Sequence, residues 1–511
     1  GRNAMNRREF LSIAAAGAAL APQSLTAADP TFDADFGTAL AAAEAIRKKK
    51  ISSFELTTHC FERIAKYDRP LNSMVVQLRE RAMARAKQAD AILARGEAVG
   101  TLHGVPITLK ESFNIAGVPT TWGIKEAAQF KPTHNSAATE KLEGAGAIVI
   151  GKTNVPVRLA DWQSYNPVYG SSQNPWDLKR TPGGSTGGGA AALAAGFGFL
   201  TMGSDIGGSI RIPSHFCGVY GHKPTLELVS LRGHTTPPMD ADVRGTSDLS
   251  VAGPMARSAD DLAAALRVVG GQDGYETAAW KWSLPAPRHR ALKDFRIGIP
   301  GGDGICPISS DVKEVLGAAL AAIRKTGAKI DSGWPQGVDP AASLETYRTL
   351  LGANMYSRLP KEQLEPMRKE WERNPRDPML SGVFAPHQNF VAHAANQRMI
   401  RFAWHEYFKS HDVFLMPVAF APAMLKDESE PLEARKIATP DGPRDYTDLV
   451  VWVSFATLAG IPATSAPVGR TRQGLPVGVQ IVGPMWEDAT PIEFAARLAE
   501  LVGGFERPKG Y

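Results

Sequence analysis

The sequence predicts an α/β protein. Helical and strand signals alternate along most of the chain. Short apolar runs bounded by glycine read as buried strands. Composition is that of an ordinary globular chain, 43% hydrophobic and 21% charged over 511 residues. Length alone allows two or three domains. One large domain over 29–511, with a mostly helical inserted region at about 300–445, is the simplest organisation.

In chain order, Gly1 to Ala4 ahead of Met5 read as a tag remnant. Asn6-Arg7-Arg8-Glu9-Phe10-Leu11 resembles a twin-arginine export signal. Ile13 to Ala21 is its apolar segment, and Thr26-Ala27-Ala28 suits cleavage before Asp29. The apolar run has no polar face, which argues against an amphipathic helix, and it is too short to span a bilayer. The expected location is the periplasm. No later stretch is long and apolar enough to cross a membrane, so no stable membrane association is expected.

Phe36 to Lys49 and Ser52 to Tyr67 read as helices, the second opening on the capping-box pattern Ser52-x-x-Glu55. Arg79 to Arg95 is a third, and Val105 to Leu109 a strand that ends at Lys110. Ala137 to Glu143 reads as helix and Ala147 to Ile150 as a buried strand. Ala190 to Gly196 is an alanine-rich helix, followed by a strand over Phe197 to Met202. After a proline-rich break at Pro285 to Lys293 come a strand at Phe295 to Ile299 and a helix at Ser310 to Thr326. Residues 340–410 are mostly helical, and Pro417 to Asp445 reads as a long surface loop. Val450 to Gly460 returns to helix, Val477 to Val482 is the last strand, and Pro491 to Leu501 closes the chain as helix.

Several function classes are disfavoured. The formal charge is only +5, and the basic runs Arg47-Lys48-Lys49-Lys50 and Arg288-His289-Arg290 are short, so no nucleic-acid partner is expected. Cys60, Cys217 and Cys306 cannot form a disulfide framework and lack metal-ligand spacing. Gly146-Ala147-Ile148-Val149-Ile150-Gly151-Lys152-Thr153 fits a phosphate-loop pattern. Its Ala-Ile-Val-Ile core is itself a strand, however, so its amides belong to a sheet ladder and not to a phosphate.

The stretch from Pro182 to Thr225 carries the chemistry. It holds two glycine-rich loops, Gly183-Gly184-Ser185-Thr186-Gly187-Gly188-Gly189 and Asp205-Ile206-Gly207-Gly208-Ser209. The helix and strand between them place both loops at one end, where Ser185 and Ser209 can converge. A serine hydroxyl needs a base to act as a nucleophile. His215 and His222 are the only histidines close by in sequence. A lysine does the same work if burial favours its neutral amine, and Lys110 at the end of an apolar strand suits that role.

This stretch resembles the signature of the amidase signature family of serine hydrolases. Gly104-Val105-Pro106-Ile107-Thr108-Leu109-Lys110-Glu111 is similar to the family's lysine segment, and Gly474 to Pro484 to its C-terminal signature. The resemblance covers nearly everything after residue 30. It implies a large twisted mixed β-sheet covered by helices, no cofactor, no metal, and compatibility with a homodimer. It implies that Lys110 is the base, Ser185 a bridging serine after a cis peptide bond at Gly184–Ser185, and Ser209 the nucleophile. It implies an oxyanion hole from the backbone N–H groups of Ile206, Gly207, Gly208 and Ser209. Asp205 and Arg211 are expected to brace the loop. Thr186 stands where the family usually has a second serine, and Glu227-Leu228 where it commonly has Gly-Arg.

The function implied is hydrolysis of a carboxamide or carbamate of a small molecule through a serine acyl-enzyme. The rivals are an A-type subunit of glutamyl-tRNA amidotransferase, against which the export signal argues, and a non-catalytic binding protein, against which the intact triad argues. Leu159, Ala160, Asp161 and Trp162 are expected to line the acyl pocket. Ala160 to Pro167 is similar to the matching segment of enzymes that cleave cyclic nylon oligomers and of urethanases, which points to compact or aryl amides and carbamates.

Overall fold

A computed structural model describes residues 32–240, 247–356 and 359–511. The tag-like segment and the export signal lie outside the described residues. Helices α1 (Ala39–Arg47) and α2 (Ser53–Leu71) open the described chain, followed by β1 (Met74–Gln77), α3 (Arg79–Ala94) and β2 (Pro106–Lys110). The Ser52 capping box forms: Ser52 Oγ accepts from Glu55 N at 3.0 Å, and Glu55 Oε2 accepts from Ser52 N at 2.9 Å. Then come α4 (Ala137–Gly144), β3 (Ile148–Thr153), a small ladder of β4 (Tyr165–Asn166) with β5 (Gly170–Ser171), α5 (Gly187–Ala194) and β6 (Leu200–Asp205). Next are α6 (Arg211–Cys217), β7 (Tyr220–Lys223), β8 (Val251–Ala256) and α7 (Ala259–Val269).

The second half begins with β9 (Arg296–Ile299), α8 (Ser310–Lys325) and β10 (Lys329–Ser332). Four helices follow: α9 (Pro340–Tyr356), α10 (Lys361–Arg373), α11 (Pro378–Phe384) and α12 (His387–Tyr407). The chain then forms β11 (Val413–Pro417), a hairpin of β12 (Lys436–Thr439) and β13 (Gly442–Asp445), α13 (Val450–Ala459), β14 (Ala463–Arg470), β15 (Pro476–Val482) and α14 (Ala489–Val502).

Eleven of these strands form one mixed sheet in the order β1-β3-β2-β6-β8-β7-β14-β15-β11-β9-β10. Strands β3, β2 and β6 run parallel. Every residue of β2, β3, β6 and β8 is buried, as expected for strands covered on both faces. The region at 300–445 is helical at its centre, but β10 and β11 on either side of those helices belong to the main sheet.

Two expectations need correction. The strand after α5 begins at Leu200, not Phe197, and continues to Asp205. Gly196 takes φ +74° and Phe197 N donates back to Ala192 O at 2.9 Å, so Phe197 belongs to the helix terminus. Pro417 to Asp445 is not a surface loop throughout. Val418 to Ala423 is buried, because its apolar residues pack in the second of the two large cores, and β12–β13 give the remainder a ladder. The phosphate-loop pattern does fall on β3, whose residues pair with β1 and β2.

Candidate active site

Lys110 is the last residue of β2, and Ser204 and Asp205 end the neighbouring parallel strand β6. All three thus come to the same, C-terminal end of two adjacent parallel strands. Lys110 Nζ lies 2.6 Å from Ser185 Oγ and 2.9 Å from Ser204 Oγ. The lysine has no exposed surface. Burial pushes its pKa down to about 7, against the opposing pull of the Asp205 carboxylate.

Depression by itself does not single out Lys110. Burial also brings Lys152 down to about 8 and Lys223 to about 7. Lys152 bonds Pro119 O and Thr120 Oγ1, and Lys223 bonds Pro224 O. The contact with a loop serine distinguishes Lys110.

The Gly184–Ser185 peptide is cis. Gly184 packs against the chain behind it: an added Cβ would stand 2.5 Å from Asp161 O and 2.7 Å from Gln163 N. Thr186 N donates to Ser209 O at 3.2 Å, which joins the two glycine-rich loops one residue beyond Ser185. Thr186 Oγ1 also reaches Ser204 O at 3.4 Å.

Ser209, 6% exposed, sits in the turn between β6 and α6. Asp205 organises that turn. Its Oδ1 accepts from Gly208 N at 2.9 Å and its Oδ2 from Ile210 N at 3.0 Å. Arg211 completes the brace, with Nε 3.0 Å from Oδ2 and Nη2 2.7 Å from Oδ1. Burial would raise the Asp205 carboxyl; the guanidinium and the two amides overcome this and hold it at about 2. The remaining Arg211 donors go to Val453 O, Gln480 Oε1 and Thr457 Oγ1 at 2.6–2.7 Å. All five guanidinium N–H groups are thereby used.

Gly208 departs from its expected role. Its N–H is committed to Asp205 and belongs to the brace, leaving Ile206, Gly207 and Ser209 as candidate oxyanion donors. Gly208 also takes φ +92°, and an added Cβ would lie 2.7 Å from Ile212 Cδ1 and 2.9 Å from Val453 Cγ2. Gly208→Ala is expected to destabilise the fold by about 2 kcal/mol and to lower turnover at least ~10-fold by moving the loop. Urea unfolding and steady-state kinetics measure the two effects.

Neither histidine serves the serines. His215 Nδ1 accepts a hydrogen bond from Gly478 N at 2.8 Å, its Nε2 faces Ala421 O at 3.1 Å, and burial lowers its pKa to about 4. His222 is held by Thr464 and Asp488.

The segment expected to line an acyl pocket divides. Leu159 and Ala160 are at least partly open to solvent, Leu159 with φ +61°. Asp161 faces away from that role: it pairs with Arg435 at 2.7 Å and accepts from the Tyr446 hydroxyl. Trp162 is half-buried, and its indole N–H donates to Gly207 O at 2.7 Å. Ser204 was not anticipated from sequence. Its one legible signal is a hydroxyl beside Asp205 at the end of a buried strand.

The arrangement sets the Ser185 hydroxyl against a buried amine and ties its loop to that of Ser209 through the backbone. Comparison with known proteins places it in context. A family model described as Amidase matches residues 55–491. The A-type subunit of glutamyl-tRNA(Gln) amidotransferase from Anaeromyxobacter dehalogenans (strain 2CP-C) is 32% identical over 488 residues, which cover 91% of this chain and 96% of that protein. A crystal structure of an amidase aligns with TM-score 0.74 at 25% identity, covering 91% of this chain and 100% of the other. The 6-aminohexanoate cyclic dimer hydrolase complexed with substrate aligns with TM-score 0.75 at 23% identity, covering 94% and 99%.

Proposed function

The chain belongs to the amidase signature family and is an amide-hydrolysing enzyme, and on that premise we propose that Ser209 attacks the carbonyl with Ser185 and Lys110 as its proton relay. The observation that carries this reading is the 2.6 Å contact between Ser185 Oγ and a buried Lys110 whose pKa is about 7. Ser209 Oγ bonds to the carbonyl carbon while its proton passes to Ser185, and the Ser185 proton passes to neutral Lys110. Backbone N–H groups among Ile206, Gly207 and Ser209 hold the oxyanion, where one donor is worth roughly 3–4 kcal/mol. As the C–N bond breaks, the relay runs backward and protonates the departing amine. Water then attacks the acyl-enzyme by the same relay, releasing the carboxylate and restoring Ser209.

The substrate class we propose is a compact or aryl amide or carbamate. Support comes from the likeness of residues 160–167 to cyclic-oligomer hydrolases and urethanases, and from the half-buried indole of Trp162 beside the loop. Turnover of a panel of anilides, aliphatic amides, peptides and carbamates tests it. Faster cleavage of an unmodified peptide than of any anilide or carbamate would overturn it.

A second reading, an A-type component of a tRNA amidotransferase, is favoured by the curated relative's 32% identity over 96% of its length. It requires glutamine as ammonia donor and partner subunits. Hydrolysis of an anilide by the purified chain, with none of glutamine, decides for the first reading. Export is proposed to depend on Arg7 and Arg8: replacing both by lysine is expected to leave the precursor in the cytoplasm, read by cell fractionation. Periplasmic recovery of the double variant would overturn the twin-arginine reading.

A further inference from the structure

The loop that carries Ser209 is held from behind by two side chains outside the proton relay. The Tyr347 hydroxyl, from α9, donates to Ile206 O at 2.8 Å. The Trp162 indole N–H, from the loop after β3, donates to Gly207 O at 2.7 Å. Each bond fixes one peptide plane. In a planar trans peptide the C=O and the following N–H point in opposite directions. Fixing Ile206 O therefore turns the Gly207 N–H away from Tyr347, and fixing Gly207 O turns the Gly208 N–H away from Trp162. The Gly208 N–H ends on Asp205 Oδ1 at 2.9 Å. The Gly207 N–H meets no acceptor among the described residues.

Both holding groups are themselves immobilised. Tyr347 is fully buried, and its hydroxyl would stand 3.2 Å from a Cβ added to Gly207, so it lies against that residue. Trp162 follows Asp161, which Arg435 and Tyr446 grip, and its ring lies 5.5 Å from that of Tyr446. A hydrogen-bond donor stabilises a developing oxyanion only when it is aimed before the charge appears.

We propose that Tyr347 and Trp162 are positioning residues: Tyr347 aims the Gly207 N–H at the oxyanion of the tetrahedral intermediate, and Trp162 holds the next peptide in place, with its N–H on Asp205. The helix at 340–356 thus contributes to the reaction through the backbone of a loop some 140 residues earlier (separation 141 for the Tyr347–Ile206 bond). The inference rests on Ser209 being the nucleophile.

Tyr347→Phe deletes one oxygen from a buried ring and keeps its shape. Steady-state kinetics on an anilide are compared with inhibition by an aryl trifluoromethyl ketone. Attack of the serine oxygen on the ketone carbon turns its C=O into an anionic C–O group and so mimics the oxyanion. In Tyr347→Phe, kcat is expected to fall about 10-fold with KM within about two-fold. The ketone's affinity should fall by the same factor as kcat/KM. Trp162→Phe, which removes the donor to Gly207 O, is expected to lower kcat and ketone affinity together. Unchanged kcat and ketone affinity in Tyr347→Phe would overturn the inference and leave the Ser209 reading intact. A rise in KM alone would make Tyr347 a substrate contact and overturn it equally. Anilide turnover by Ser209→Ala would instead overturn the reading on which the inference rests.

Discussion

Ser209→Ala is expected to lower amide turnover by at least ~10⁴-fold, because the attacking atom is gone and no neighbouring hydroxyl can replace it. The substitution deletes one oxygen from a side chain that is 6% exposed, and the Ser209 carbonyl keeps its bond from Thr186 N. The fold should therefore survive, and a circular dichroism spectrum like that of the unaltered protein checks this. A fluorophosphonate probe, followed by peptide mass spectrometry, should place its adduct on Ser209 in the unaltered protein and nowhere in the variant. An adduct that persisted in Ser209→Ala would identify another nucleophile.

Turnover should also fall on the acid side as Lys110 takes up a proton. The folded pKa is about 7, so the neutral amine dominates above that value and is lost as pH drops through it. Protonated Lys110 has no lone pair with which to accept the relayed proton. At pH 6 about a tenth of the alkaline-plateau kcat/KM should remain. Lys110→Ala is expected to lose about 10³-fold across the whole range, since Ser185 is left without an acceptor. Lys110→Arg should fail as well, because a guanidinium stays protonated. The measurement is a pH–rate profile of the three proteins on one anilide. Full activity in Lys110→Arg would exclude the amine as base, and an acid limb abolished by His222→Gln would move the assignment to histidine.

Local patterns announced the main parts of the site. Lys110 ends an apolar run, the serines sit among glycines, and Asp205 and Arg211 flank the second loop; each of these signals fits within a dozen residues. The groups that hold the loop were not legible. Tyr347 lies in a helix whose own sequence serves to pack it, and Arg435 lies in a stretch whose prolines and charges read as a surface loop. What gives these residues their roles is a partner more than 100 residues away, and no local pattern encodes that pairing. Asp161 was misplaced for the same reason: nothing near it in sequence shows that Arg435 and Tyr446 bind its carboxylate. Glu227 illustrates the opposite case. It stands where the resemblance leads one to expect glycine, and it takes the left-handed backbone, φ +65°, that glycine favours.

The guanidinium of Arg211 closes on Gln480 across 269 residues of chain. Gln480 lies in β15, which follows the loop it supports along the chain. Synthesis proceeds from the N-terminus, so Lys110, Ser185 and Ser209 all emerge long before the strand that completes the support of their loop. A nascent chain would carry Ser209 before the support of its loop is finished. The support of the loop is therefore completed by a strand made well after the loop itself.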